Sequence, residues 1–362
     1  MNKIRCTKTV VLAATQIAMI QSTFQLSSRS ARTPLILLIG LGIGLILLSI
    51  CFILSIGLGA ADVTPAEVWK ALFIFDGSST NHLIIRTVRL PRSLIAVLVG
   101  AAMAIAGAVM QGLTSNPLAS PNILGVSTGA ALAVVLSTFV LDVNSLSSYA
   151  WFALAGGAIT AGLVYLFAAL GPGGITPLNL TLAGTVFSTL ISTLITGILL
   201  LSQQTLEQVR FWLAGSLAGG DIDLLRQVLP FLVVGFLIAL TLGRQITTLS
   251  LGDTVAKGLG QNTAWVKALG ALSVVLLVGG SVSIAGPIGF VGLIVPHLAR
   301  FLVGVDYRWI LPYVAVGGAV LLLLADICAR LIIRPQELPV GLVMPLLGAP
   351  FFIYLIRTRI RR

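Results

Sequence analysis

The stretch Ser93–Gly112, SLIAVLVGAAMAIAGAVMQG, runs for twenty residues without a charge and sits directly behind an arginine-rich segment, Arg86–Arg92, RTVRLPR. About twenty apolar residues are what an α-helix needs to cross the hydrocarbon core of a bilayer, so this stretch reads as a spanning helix. Gly100, Ala104 and Ala108 recur in it every four residues, which lays small side chains along one helix face. Glycine inside a helix costs stability, and close approach of a neighbouring backbone is the compensation that membrane helices use.

Outward from this segment the same pattern repeats. Apolar stretches at approximately 34–59, 93–112, 122–141, 149–170, 178–202, 227–243, 264–285, 288–303, 309–329 and 340–356 are separated by Pro, Gly and polar clusters. The 362 residues are 57% hydrophobic and 9% charged, against about 25% charged in a soluble domain. These values predict an all-α polytopic membrane protein with about ten transmembrane helices and no room for an independent soluble domain. A soluble enzyme, a nucleic-acid binder and a disulfide-built secreted scaffold are excluded at the outset. Cys6, Cys51 and Cys328 are scattered, and His82 and His297 lie at no ligand spacing, so no metal site is expected.

The net charge of +11 is explained by topology. Ten spans with both termini in the cytoplasm place fourteen of the 22 Lys and Arg residues inside, joined only by Asp253 and Asp306. The outer side then carries eight basic against eight acidic residues, with Asp326 near a helix end. That is the positive-inside asymmetry. Residues 1–33 are basic and without acids; they read as a cytoplasmic tail, with a targeting segment as the alternative.

Outside the spans, Thr64-Pro65-Ala66-Glu67 has the form of a capping box with Pro at the first helical position, predicting a short helix over Val68–Phe75. Phe211–Ser216, FWLAGS, is an aromatic stretch suited to the membrane interface. Between the sixth and seventh spans, Leu249–Gly260, LSLGDTVAKGLG, offers an Asp at an N-cap, a two-turn helix and glycine terminators. Such a helix is a docking peg for another protein's groove; a turn at the headgroups is the bland alternative. The arginine cluster at 86–92 suggests an acidic partner outside, or lipid phosphate. His297, behind Pro296, reads as a buried histidine holding a backbone carbonyl rather than as a ligand.

No GxxxxGK[ST] or HExxH occurs, so the chain is expected neither to bind ATP nor to catalyse a reaction itself. An ion-driven carrier needs ionisable groups near the bilayer midplane, and Asp326 is the one candidate. It lies four residues before Arg330, the spacing of an ion pair on one helix face. A secondary transporter is therefore the competing reading, and an inert membrane scaffold a third.

With these residues assembled, the chain resembles the FecCD-type permeases of ABC importers for iron-siderophores, haem and cobalamin. The resemblance runs through residues 89–130 (RLPRSLIAVLVGAAMAIAGAVMQGLTSNPLASPNILGVSTGA), LAGTVFST (182–189), WLAGSLAG (212–219), LSLGDTVAKGLG (249–260), GPIGFVGLIVPHLARFLVGVDYRWILP (286–312), LLLADICARL (322–331) and ELPVGLVMPLLGAPFFIYLI (337–356). Nearly everything from residue 34 onward is covered. It implies a type II importer architecture in the cell membrane. A second permease chain, identical or related, would share one central path, with two cytoplasmic ABC ATPase subunits using ATP and one external substrate-binding protein. No cofactor would be bound by this chain.

By the same resemblance, Arg89, Arg92 and Arg330 would receive the binding protein's carboxylates at the outer surface. Gly252, Asp253, Ala256 and Gly260 would belong to the helix that couples to the ATPases. Asn116, Leu118 and Thr176 would form a cytoplasmic gate, although Pro177 and Leu178 depart from the more polar run of the family. Thr185, Ser188, Thr189, Ser192 and Thr193 would line the path. A ferric chelate is the commonest cargo of such permeases.

Overall fold

The computed structural model describes residues 33–59, 64–333 and 336–360, and every regular element in them is helical. The expected tail at 1–33 lies almost wholly outside the described residues. The chain divides at Gly40 into two compact units. Of the first, only residues 33–40 are described, the opening turns of a helix, and all that follows concerns Leu41 onward.

In chain order the helices are α1 (Pro34–Gly57), α2 (Pro65–Phe73), α3 (Thr80–Ile84), α4 (Leu90–Leu113), α5 (Val126–Leu141), α6 (Leu146–Leu170), α7 (Pro177–Leu201), α8 (Gln203–Leu213), α9 (Ile222–Thr241), α10 (Gly243–Leu249), α11 (Asp253–Gly258), α12 (Thr263–Ala285), α13 (Val291–Val303), α14 (Tyr307–Leu331) and α15 (Val340–Ile360). A π-helical turn, Ile85–Arg89, joins α3 to α4, and a 3₁₀ turn, Pro121–Leu124, precedes α5. Seven of the resulting segments are long and apolar enough to cross a bilayer. α5, α13 and the Val340–Phe351 part of α15 are shorter apolar helices. These ten correspond one for one to the ten stretches read from the sequence.

Chain chemistry sets the helix ends. Thr64 accepts from the Glu67 amide while the Glu67 carboxylate accepts from the Thr64 amide, the reciprocal capping box expected there. Ser145 and Thr176 cap α6 and α7 by accepting from Ser148 N and Asn179 N. The aromatic stretch at the end of α8 divides its rings: Trp212 is buried against Tyr149, ring centroids 6.5 Å apart, and Phe211 is exposed. An indole is large enough to serve as core wherever a second aromatic covers it, and FWLAGS cannot tell which ring turns inward.

α4 is the axis of the packing, with nineteen of its residues buried. It crosses α14 where Gly100 meets Gly318: a Cβ on either glycine would run into the other's carbonyl oxygen. Further along, a Cβ on Gly107 would strike the Gly292 main chain of α13. Small residues here let backbones touch, which is how helices gain packing energy where lipid supplies no hydrophobic drive.

Between α12 and α13 the helix is broken from Gly286 to Phe290, and both flanking residues have positive φ, +67° at each. Neighbouring loops engage the same region, with Ser216 N donating to Ala285 O at 2.9 Å and Gly341 N to Gly215 O at 2.9 Å. Irregular backbone at such depth is tolerated when protein rather than lipid surrounds it.

Gly107→Ala adds a single methyl group against main-chain atoms that cannot move aside. It is expected to destabilise the protein by ~1–3 kcal/mol, seen as a lowered Tm in detergent. Gly162→Ala on α6, where nothing lies within 4 Å, is the control and should leave Tm unchanged or slightly raised.

Candidate functional site

Two polar constellations stand at opposite ends of α4 and α14. At the end where α4 begins, Asp326 is fully buried and lies between two guanidinium groups. Arg92 donates to its Oδ1 from Nε at 3.0 Å and from Nη2 at 2.8 Å, and Arg330 Nη2 reaches Oδ2 at 3.1 Å. Arg92 Nη1 also holds Glu337, on the segment between α14 and α15. Two cations and two carboxylates thus neutralise one another in a region where an unpaired charge would be very costly.

The same arginines finish α1. The last carbonyls of a helix have no intrahelical donor and carry the negative end of its dipole. Arg89 Nη1 donates to Ile56 O at 2.9 Å and Gly57 O at 2.8 Å; Arg330 Nη1 donates to Ser55 O and Leu58 O, both at 2.9 Å. Arg330 Nη2 takes Ser55 Oγ at 2.8 Å, and that hydroxyl pairs with Ser93 Oγ at 2.8 Å. α1, α4 and α14 are fastened together by one network.

This corrects the expectation that Arg89, Arg92 and Arg330 stand at the surface. Their exposures are 5%, 6% and 2%. The i, i+4 pair of Asp326 and Arg330 is present as read, but Asp326 is shared with Arg92, 234 residues away. Glu337, Ser55 and Ser93 were not singled out in the sequence. A carboxylate in ELPVG, just past the arginine-bearing helix, was the available signal for Glu337. Arg86 is the exposed arginine of the cluster, its guanidinium 4.5 Å from the centroid of Phe75.

At the other end, α10 and α11 form an elbow. Gly252, at φ +115°, is the N-cap of α11, and Asp253 is its first residue, which corrects the reading of Asp253 as the cap. Only glycine adopts that backbone readily, so the turn falls one residue earlier than an Asp cap would place it. The Asp253 carboxylate instead ties the elbow down, with Lys257 Nζ and Lys267 Nζ each 2.8 Å from it. Those two ammonium groups hold its pKa down, from an ordinary 3.8 to about 2. Lys267, on α12, was not part of the expected set. Ala256 is fully buried, and Gly260 closes the elbow at φ +80°. Leu251 ahead of Gly252, Val255 on α11 and Leu259 at its C-cap are 64%, 46% and 69% exposed.

The expected gate and path residues are placed separately. Asn116 Oδ1 accepts from Leu118 N at 2.9 Å, leaving the Leu118 side chain exposed. Thr176 is the N-cap of α7. Ser188 accepts from Thr128 Oγ1 of α5 at 3.3 Å, and Ser192 is exposed. Thr185, Thr189 and Thr193 donate to the carbonyls four residues back, at 2.8–3.0 Å, so each hydroxyl is satisfied by its own helix. Leu182, Val186, Leu190 and Leu194 leave the same helix widely exposed. His297 is buried, edge-on to Phe301 with ring centroids 5.1 Å apart.

Comparison with known proteins agrees with this architecture. The FecCD transport family profile matches residues 47–358. The iron(3+)-hydroxamate import system permease protein FhuB of Bacillus subtilis is 46% identical over 319 residues, 88% of this chain and 83% of that one. The Fe(3+)-citrate import system permease protein YfmD of the same organism is 45% identical over 312 residues, 85% of this chain and 92% of that one. A solved structure described as an inward-facing ABC transporter of metal-chelate type superposes with a TM-score of 0.76 at 33% identity, covering 90% of this chain and 99% of that one. A match over most of the chain, relatives of this identity and the same helical architecture lead to one conclusion: the chain is a multi-pass membrane protein belonging to the FecCD transport family.

Proposed function

We propose that this chain is the transmembrane permease of an ATP-driven importer and that its cargo is an iron chelate, the class named for the hydroxamate and citrate relatives. The observation that carries the reading is the α10–α11 elbow. It exposes Leu251 ahead of Gly252, Val255 on α11 and Leu259 at its C-cap, around a short helix that Asp253 ties to Lys257 and to Lys267 of α12. A short helix with apolar side chains exposed on and beside it fits the groove of a partner. The partner is a cytoplasmic ATPase, two copies per transporter, and nucleotide-driven motion reaches the spans through Lys267 and α12. This places the elbow and both termini in the cytoplasm, as the basic-residue asymmetry favours.

A second permease chain, identical or related, covers the exposed face of α7, and the substrate path runs between the two chains. Asn116, Leu118 and Thr176 are gate elements at its inner end. The arginine-bearing end faces outward and receives the substrate-binding protein. Since Arg89, Arg92 and Arg330 are engaged internally, docking proceeds by exchange: a carboxylate of the binding protein replaces Glu337 on Arg92. Glu337 is the carboxylate partner with an exposed side chain, 30% against 0% for Asp326.

Asp253→Arg turns the clamp of the elbow into a repulsion. It should abolish stimulation of ATP hydrolysis by the loaded binding protein in proteoliposomes; stimulation at the native level would overturn the assignment. Because folding depresses the Asp253 pKa, its contribution is complete above about 3.8 and is lost as pH falls towards about 2. Coupling through this clamp should therefore be flat between pH 5 and 8.

Glu337→Gln should tighten capture of the binding protein several-fold in surface plasmon resonance, because Arg92 no longer has to release a charge. Unchanged or weaker capture would argue against exchange.

A further inference from the structure

We propose that a groove at mid-height between α1, α4, α9 and α14 is a binding site for the hydrocarbon tail of a membrane lipid. The groove has a volume of about 340 Å³, and every side chain lining it is apolar. Its floor is protein interior: Ala102, Leu232, Leu277 and Ala319 are each 4% exposed or less. Its mouth is open, with Val233 and Leu237 of α9 at 46% and 54%.

Position identifies the occupant. Leu48, Ala101, Leu277 and Ala319 each fall near the middle of their helices, so the groove lies close to the bilayer midplane. Water needs polar partners that this lining does not offer, whereas a dry apolar cavity of roughly 150 Å³ already takes up benzene. The groove is more than twice that size. What fits is a flexible chain of methylene groups, the species that surrounds the groove at this depth. Left empty, the lining would forfeit its dispersion contacts on one side.

The exposed face of α6, with Ile159, Leu163 and Leu166, is equally apolar but is not part of this concavity, so the two surfaces give different expectations. Lipid tails slide past α6 and lodge between α1 and α9. A tail held there supports the middle of α1, whose end is fastened separately by Arg89 and Arg330.

The test uses the full-length protein in nanodiscs containing a phosphatidylethanolamine with a diazirine in one acyl chain, photolysed and mapped by mass spectrometry. Label on Val97–Ala102, Val233–Leu237 and Ala315–Ala319 is expected to exceed that on α6 around Ile159 several-fold. Ala101→Phe, which fills the groove, should lower the groove label several-fold and leave the α6 label unchanged. Ala315→Leu fills it from another wall and serves if the first variant does not fold. Equal labelling of groove and α6, labelling that survives filling, or a groove without label because a second copy or another protein occupies it would each overturn the proposal.

Discussion

Where α4 crosses α14, Gly100 and Gly318 bring the two main chains into contact, and the helices run antiparallel. Eight residues from each glycine, towards the same end, lie Arg92 and Asp326. At 1.5 Å per residue both are about 12 Å from the crossing, so they arrive at the same height and face each other. A side chain at either glycine would separate the helices and pull that pair apart. The position of the buried carboxylate is therefore decided by two residues that carry no side chain at all.

The charges at this end follow from that placement. A carboxylate with no exposure is stable only if its partners are close and well aligned, and removing one member of such a group costs about 3–5 kcal/mol. Asp326 answers this by taking both Arg92 and Arg330. Each arginine then has donors left over, and they fall on groups that need them: the open carbonyls of α1 and the carboxylate of Glu337. The cluster looks like a basic patch in the sequence because its counter-charges lie hundreds of residues further on. Folded, it is an internal fastening with one replaceable outer partner.

This separates what was legible in the sequence from what was not. The ten apolar helices were legible, because a spanning helix needs its own run of apolar residues and lipid allows no other arrangement. Local spacing revealed the Thr64–Glu67 capping box and the Asp326–Arg330 pair. Contacts over long separations were not visible: Arg92 to Asp326, Arg330 to α1, and Asp253 to Lys267 all depend on which helices become neighbours. The Gly252 cap was misread, and the inward turn of Trp212 was left open, for a different reason. A one-residue shift in a turn, or a half-turn of helix, changes which side chain faces the protein without changing composition.

The fastening of α1 also has an order in time. Arg89 follows the carbonyl of Ile56 by 33 residues, so as soon as the next span emerges it can engage that end of the helix. Arg330 is made 275 residues after Ser55. At roughly 5–20 residues per second, α1 waits on the order of 15–55 s for its second clasp. During biogenesis the first span is thus held by one guanidinium while the rest of the bundle is threaded past it, and the ninth span locks the first in place.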